Sequence, residues 1–209
     1  MTFAWTLDER KFLTLAFDKV RQLRKHCGRK KAGALGRREF LGVRDWFLIE
    51  LGLNTGLRVQ ELSDLRCGDL LISGNEASLI VRKGKGNKKR FVWLSQSFKE
   101  SCKGFLAWKR KQGHAVDAEA PLLTSEQGER VTKRALQKAF KRIARAAGLE
   151  SYYSIHCLRH TYGTHLLRAG SFNLRLVQEQ LGHSSVRITE VYTKLIGSDV
   201  KQAVNRLYR

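Results

Sequence analysis

Three short runs of β-branched and aromatic residues interrupt a chain whose apolar residues otherwise follow helical spacing, and this interruption most constrains the fold. The runs are "LLIS", "SLIVR" and "RFVWL", and they lie between residues 69 and 94. The segments between them contain the turn-forming sequences "GN" and "KGKGNKK". Short strands joined by such turns predict a small three-stranded antiparallel sheet.

Helical spacing of apolar residues dominates the rest of the chain. The predicted helices cover residues about 6–26, a stretch that ends at 54–56, and residues 58–65, 96–112, 131–147, 155–169, 173–181, 184–195 and 198–208. The glycine-rich, basic stretch at about 26–38 is predicted to be a loop. The fold class that follows is α+β, mainly helical with one small sheet.

The charge of the chain indicates a polyanionic partner. Lysine and arginine number 40 against 19 acidic residues, which gives a net charge of +21. Such an excess attracts nucleic acid or an anionic membrane surface. No apolar run approaches the roughly 18 residues of a spanning helix, and no leader-like segment opens the sequence. We therefore expect a cytoplasmic, nucleoid-associated protein that does not bind membranes. The four cysteines form no C-x-x-C motif, which favours free thiols.

The stretch "HCLRHTYGTHLLRAG", residues 156–170, concentrates three histidines and two arginines. On a helix, His156 and Arg159 are neighbours, and Gly163 leaves room one turn further for a ligand to approach. The apolar stripe of that helix is predicted to contain Leu158, Tyr162, Leu166 and Ala169. His156 and His160 have the spacing of a metal pair but lack the glutamate of the zincin motif and an obvious third ligand. An ordinary solvated basic helix is the other interpretation of this stretch.

Two further segments place reactive side chains at helix ends. "NTGLRVQELSDL" puts Arg58 at the start of a helix, with Glu61 three residues later, where its carboxylate can hold the guanidinium in one pose. The alternative is an exposed ion pair that contributes about 0.3 kcal/mol. "LGHSSVRITEVYTKL" places His183 between two helices and Tyr192 at the edge of an apolar face. A tyrosine at such spacing is usually a core residue.

Basic side chains also cluster in the second turn of the sheet and on the helix predicted at 131–147. The turn contains Lys83, Lys85, Lys88 and Lys89, and the helix contains Lys133, Arg134, Lys138, Lys141 and Arg142. We predict that these side chains, apart from Lys85, contact nucleic-acid phosphates, so that affinity falls steeply with salt. A merely solubilising basic face is the alternative.

Taken together, five segments resemble the tyrosine recombinase family, the phage-integrase and Xer-type site-specific recombinases. The segments are "TGLRVQEL", "KGKGNKKR", "HCLRHTYGTHLL", "LGHSS" and "VYTKL", in the family's order and at about its spacings. The resemblance extends from about Leu7 to Leu195, and five motifs in register argue against a chance match. It implies the fold of the tyrosine recombinase catalytic domain.

The resemblance also implies the reaction and the residues that perform it. The implied catalytic set is Arg58, Lys85, His156, Arg159, His183 and Tyr192. In the implied reaction, Tyr192 attacks a DNA phosphodiester, which gives a 3′-phosphotyrosine link and a free 5′-hydroxyl. Two arginines suit the negative charge of the transition state. Lys85 is the implied general acid and His156 the implied proton acceptor, while His183 hydrogen-bonds the phosphate.

Further expectations follow from the same resemblance. Glu61 and Gly163 are expected to support the catalytic set. Because the covalent link conserves the bond energy, no metal or nucleotide cofactor is expected. The implied partners are double-stranded DNA and further copies of the chain, as a dimer to tetramer on that DNA.

The domain organisation departs from the family's usual pattern. Only about fifty residues precede the first motif, so we expect residues 1–195 to form the catalytic domain without an N-terminal core-binding domain. Residues 196–209 are expected to form a tail that docks on a neighbouring subunit. The alternative functions are DNA relaxation like that of a type IB topoisomerase, an inactive recombinase-derived DNA-binding regulator, and a basic nucleic-acid-binding domain of unrelated fold.

Overall fold

The computed structural model describes residues 13–37, 39–82, 89–171 and 173–182. The helices of these ranges are α1 (Phe17–Arg37), α2 (Phe40–Thr55), α3 (Val59–Asp64), α4 (Gln96–Lys111), α5 (Lys133–Ala146), α6 (His156–Ala169) and α7 (Leu174–Leu181). The strands are β1 (Leu70–Leu71), β2 (Ser78–Val81) and β3 (Arg90–Trp93). The predicted fold class is confirmed. The helices predicted at 184–195 and 198–208 lie outside the described residues.

The sheet has the predicted antiparallel topology, in the order β1-β2-β3. Leu79 pairs with Leu70 on one side and with Val92 on the other, and this row faces the core. Two residues further along, Val81 pairs with Arg90, and because side chains alternate between the faces of a sheet, Arg90 points to the same inner face. This register places a charged side chain beneath the sheet, at the end that leads to the lysine-rich turn.

The loop predicted at about 26–38 is wrong, because α1 continues through this stretch to Arg37. A glycine inside a helix is about 1 kcal/mol less favourable than alanine, and this stretch contains three. Packing offsets that cost, since Ala34 is buried against α2. A Cβ added at Gly42 of α2 would lie 2.5 Å from the Cβ of Ala34. Small residues on both helices thus allow the close approach that keeps α1 helical.

The main core surrounds α2, which the other helices cover on several sides. Phe47, Leu48, Ile49 and Leu51 of this helix are fully buried. A smaller apolar cluster lies between α6 and α7, around Leu167, Val177 and Leu181. The apolar stripe predicted for α6 is therefore partly wrong: Leu158 is buried, but Ala169 is exposed and Leu167 takes the inward position. In the described part of the chain, no helix combines the length and apolar character that crossing a membrane requires.

Candidate active site

Arg58 stands immediately before α3, and Glu61 of the same helix holds it at two points. The Arg58 backbone N–H donates to Oε2 of Glu61 at 2.8 Å, and Nη1 donates to Oε1 at 3.0 Å. The Glu61 side chain is only 5% exposed, whereas the Arg58 side chain is 30% exposed. The predicted contact between these residues is confirmed, and it leaves the Arg58 guanidinium partly accessible.

Arg90 is a member of this network that the sequence analysis missed. Its Nη1 and Nη2 donate to Oε1 and Oε2 of Glu61, both at 2.9 Å, and its Nε donates to the Gln180 carbonyl at 3.4 Å. Burial alone would raise the pKa of Glu61. Hydrogen bonds from Arg90 and Arg58 outweigh burial and bring that pKa below its usual value. Glu61 is therefore a charged carboxylate shared by two arginines.

Arg159 is buried and joins two distant chain segments through their backbone. Its Nη1 donates to the Gly56 carbonyl at 2.7 Å, and its Nη2 donates to the Leu181 carbonyl at 2.8 Å. Gly56 follows α2 in the left-handed region (φ 60°), and Gly182 follows α7 in the same way (φ 65°). Gly56 lies two residues before Arg58 in the sequence, so the Arg159 guanidinium fixes the backbone that leads to Arg58.

His156 is the first residue of α6 and is exposed. Partial desolvation by the surrounding protein lowers its pKa, and the positive charges of Arg159, Arg58 and Lys133 lower it further. Lys133 is the exposed first residue of α5. The structure thus brings four of the predicted residues together at the starts of α3, α5 and α6. His156 is neutral at pH 7 and can accept a proton.

The remaining predicted catalytic residues, Lys85, His183 and Tyr192, lie outside the described residues, as do Lys83 and Lys88. Gly163 is buried in the middle of α6, and its supporting role stays a prediction. Across the described ranges, no group of three or more histidine, cysteine, aspartate or glutamate side chains could hold a metal ion.

The predicted DNA-contacting face of α5 is exposed along its length. It presents Arg134, Lys138, Lys141 and Arg142. Two of these also make internal contacts: Lys141 donates to the Ser151 carbonyl at 2.6 Å, and Arg142 forms an ion pair with Asp45. Arg145 lies on the same exposed face and was missed, although its spacing of three and four residues from its basic neighbours could have revealed it. Lys89 is exposed, with its ammonium 5.5 Å from the centre of the Phe91 ring.

Comparisons with known proteins identify the family and the fold. The phage integrase family matches residues 14–197. The tyrosine recombinase XerC of Thermodesulfovibrio yellowstonii is 36% identical over 159 residues, which cover 74% of this chain and 51% of that relative. The chain thus spans about half the length of the curated relatives it matches.

Two solved structures share the fold. The XerA recombinase has a TM-score of 0.75 at 24% identity, over 94% of this chain and 65% of that one. The XerH recombinase, bound to a palindromic difH substrate in a post-cleavage complex, has a TM-score of 0.72 at 25% identity, over 95% of this chain and 54% of that one.

Proposed function

The chain belongs to the phage integrase family of tyrosine recombinases, and we propose from this premise that it cuts and rejoins double-stranded DNA at specific sites. The outcome would be integration, excision or inversion of a DNA segment. The observation that carries the proposal is the convergence of positive charge from Arg159, Arg58 and Lys133 on the exposed His156, which together with partial desolvation lowers the pKa of that imidazole. Positive charge beside a proton acceptor suits attack on a phosphodiester.

The two arginines act on the phosphate in different ways. The transition state of phosphoryl transfer spreads negative charge over the non-bridging oxygens. Arg58 is partly exposed and is held at one edge by Glu61, so it can turn its other N–H groups to these oxygens. Arg159 is buried, contributes positive charge to the site and holds the backbone at Gly56 and Leu181. Loss of one such group commonly reduces the rate about 10²–10³-fold.

The covalent step transfers the phosphoryl group from a 5′-oxygen to a tyrosine oxygen. We assign the nucleophile to Tyr192: its oxygen bonds to phosphorus, and the bond from phosphorus to the 5′-oxygen breaks. A free tyrosine has a pKa near 10, so only about one in a thousand is ionised at pH 7. His156 accepts the phenol proton. Lys85 donates a proton to the departing 5′-oxygen, and His183 hydrogen-bonds the phosphate. Attack by a 5′-hydroxyl from a second duplex reverses the step and reseals the strand.

The basic face of α5 is the proposed DNA-contacting surface. It starts at Lys133 beside His156 and extends to Arg145, a distance of about 18 Å at 1.5 Å per residue. That length covers several phosphates of one duplex. The catalytic unit would be residues 1–195, and residues 196–209 would dock on a second copy of the chain within a dimer or tetramer on DNA.

Covalent trapping tests this function. The protein is incubated with nicked duplexes from its own genomic neighbourhood, in which the cleaved fragment is lost and religation fails, and the denatured products are separated by size. We expect a DNA–protein adduct with the wild type and none with Tyr192→Phe.

The other outcomes of this experiment are also informative. An adduct that survives in Tyr192→Phe excludes Tyr192 as the nucleophile. DNA binding without any adduct favours an inactive regulator. Relaxation of supercoiled plasmid without strand exchange between two marked sites favours a topoisomerase.

A further inference from the structure

We propose that Arg90 is a positioning residue that keeps Arg58 available to the scissile phosphate. This inference rests on the proposed function, because it assigns Arg58 to phosphate binding. Arg90 itself is too deeply placed for DNA contact, since its side chain is 11% exposed and all three of its guanidinium nitrogens donate to Glu61 or Gln180. Its effect on the reaction must therefore pass through other residues.

The sharing of Glu61 supplies the mechanism. A carboxylate has about four lone-pair sites, and Glu61 fills them with two N–H groups of Arg58 and two of Arg90. Because Arg90 takes the bidentate position, only one side-chain hydrogen bond remains between Glu61 and Arg58. Without Arg90, the buried Glu61 carboxylate would turn both oxygens to Arg58, since that guanidinium would be its nearest cation. The phosphate would then lose the N–H groups that Arg58 offers it.

Arg90 also joins three pieces of the site. It is the first residue of β3, directly after the turn that contains Lys85 in the sequence. It contacts α3 through Glu61 and α7 through the Gln180 carbonyl. The side-chain amide oxygen of Gln180 accepts from the Trp93 N–H at 3.2 Å, which fastens the other end of β3 to α7. A shift of Arg90 would thus move the strand after the turn relative to Arg58.

Arg82 offers a matched control on the opposite side of the same turn. It follows β2, and its Nε donates to the buried carboxylate of Asp69 at 2.5 Å. Both arginines therefore pair with a buried carboxylate beside the turn, but Asp69 holds no arginine of the proposed catalytic set. Arg90→Lys and Arg82→Lys each keep the charge and remove the planar fork.

The decisive experiment measures the accessibility of Arg58 without requiring catalysis. Phenylglyoxal modifies guanidinium groups, and peptide mass spectrometry at low conversion gives the rate at each arginine. We expect Arg58 to react severalfold more slowly in Arg90→Lys than in the wild type or in Arg82→Lys. An unchanged Arg58 rate in folded Arg90→Lys overturns the proposal. The proposal also predicts that, in the wild type, phenylglyoxal modifies Arg58 faster than Arg90, and equal rates would overturn the proposal. This comparison tests the proposal even if Arg90→Lys does not fold.

The trapping assay then connects Arg90 with the chemistry. Arg90→Lys should form the adduct at least about tenfold more slowly, because small displacements of a clamp have large kinetic effects. The DNA affinity of Arg90→Lys should stay within about twofold of the wild type. The rate of adduct formation by Arg82→Lys should also stay within about twofold of the wild type. Absence of any wild-type adduct refutes the proposed function, whereas a slowed Arg58 modification in Arg90→Lys still supports the role of Arg90 in holding Glu61. If Arg90→Lys forms the adduct slowly but its Arg58 reacts with phenylglyoxal at the wild-type rate, Arg90 does not act by keeping Arg58 available.

Discussion

A single methyl group added at Gly56 should be strongly destabilising, and the free-energy cost can be worked out from the structure. Its φ of 60° lies in the left-handed region, where an L-residue costs about 1–2 kcal/mol. An added Cβ would also lie 2.7 Å from Cδ2 of Leu181 and closer still to Cδ1 of Tyr162. Insertion of a methyl group into a packed site costs about 1–3 kcal/mol. Gly56→Ala should therefore reduce the free energy of unfolding by about 2–5 kcal/mol.

Two other glycines separate these contributions. Gly113 has a φ of 80° but no atom within 4 Å of an added Cβ, so Gly113→Ala should show only the backbone cost of about 1–2 kcal/mol. Gly104 lies in α4 with open space around it, so Gly104→Ala should stabilise the protein by about 0.5–1 kcal/mol.

Urea unfolding at pH 7 measures all three variants. In thermal melts, Gly56→Ala should lower the Tm by roughly 4–20 °C, given about 2–4 °C per kcal/mol for a chain of this size. If the losses in the free energy of unfolding caused by Gly56→Ala and Gly113→Ala differ by no more than about 0.5 kcal/mol, Gly56 is not closely packed against Tyr162 and Leu181 in solution.

Three further predictions concern charge. Glu61→Gln should reduce the free energy of unfolding, measured in urea at pH 7, by about 3–5 kcal/mol, because it leaves two guanidinium groups without their shared carboxylate. Glu119→Gln, which removes one partner of an exposed ion pair with Arg66, should leave this free energy almost unchanged. Because the folded-state pKa of Glu61 lies below its ordinary value of 4.5, the stabilisation from the charged carboxylate is fully present above that pH and is lost as the pH falls through the lowered pKa. If the wild type and Glu61→Gln differ by the same free energy of unfolding even in strong acid, Glu61 is not a charged partner of the two arginines. Lys133→Gln should raise the pKa of His156, because it removes one of the positive charges that lower this pKa, and the acid limb of the adduct-formation rate should therefore move to higher pH. Lys138→Gln, more than a turn further along α5, should leave the acid limb in place. Identical pH profiles for both variants would exclude a coupling between Lys133 and His156. The double variant Arg134→Gln/Lys138→Gln should reduce the slope of log affinity against log salt concentration by about 2 units, whereas Lys103→Gln on α4 should not change it. If fluorescence-anisotropy titrations give the wild type and the double variant equal slopes, the α5 face does not contact DNA.

The local part of the site was predictable from the sequence. Arg58 and Glu61 are three residues apart on one helix, so helix geometry alone brings them together. The sheet was equally predictable, because turn-forming residues and short runs of β-branched and aromatic residues are local properties of the sequence. The proximity of His156 and Arg159 followed from helix spacing, whereas the approach of Arg58 to both followed only from the resemblance to a family.

The errors came from contacts between distant residues. Three glycines and many cations made 26–38 look like a loop, but contacts with α2, such as the packing of Ala34 against Gly42, favour the helix. Arg90 resembled one more cation of a basic turn, and its pairing with Glu61 across 29 residues leaves no local pattern. Helix spacing made Arg159 a neighbour of His156, but it could not reveal that the Arg159 guanidinium donates to two backbone carbonyls on remote segments.

The two backbone contacts of Arg159 have a consequence for the order in which the chain is made. Its partners lie 103 residues before it and 22 residues after it in sequence. Since synthesis proceeds from the N-terminus, a nascent chain can contain Arg58, His156 and Arg159 before the Leu181 carbonyl exists. Until α7 emerges from the ribosome, the Arg159 guanidinium has only half of this anchor. We therefore expect the proposed catalytic geometry to form late in biosynthesis, so that chains which stall before α7 would carry the charge to attract DNA without the complete proposed site.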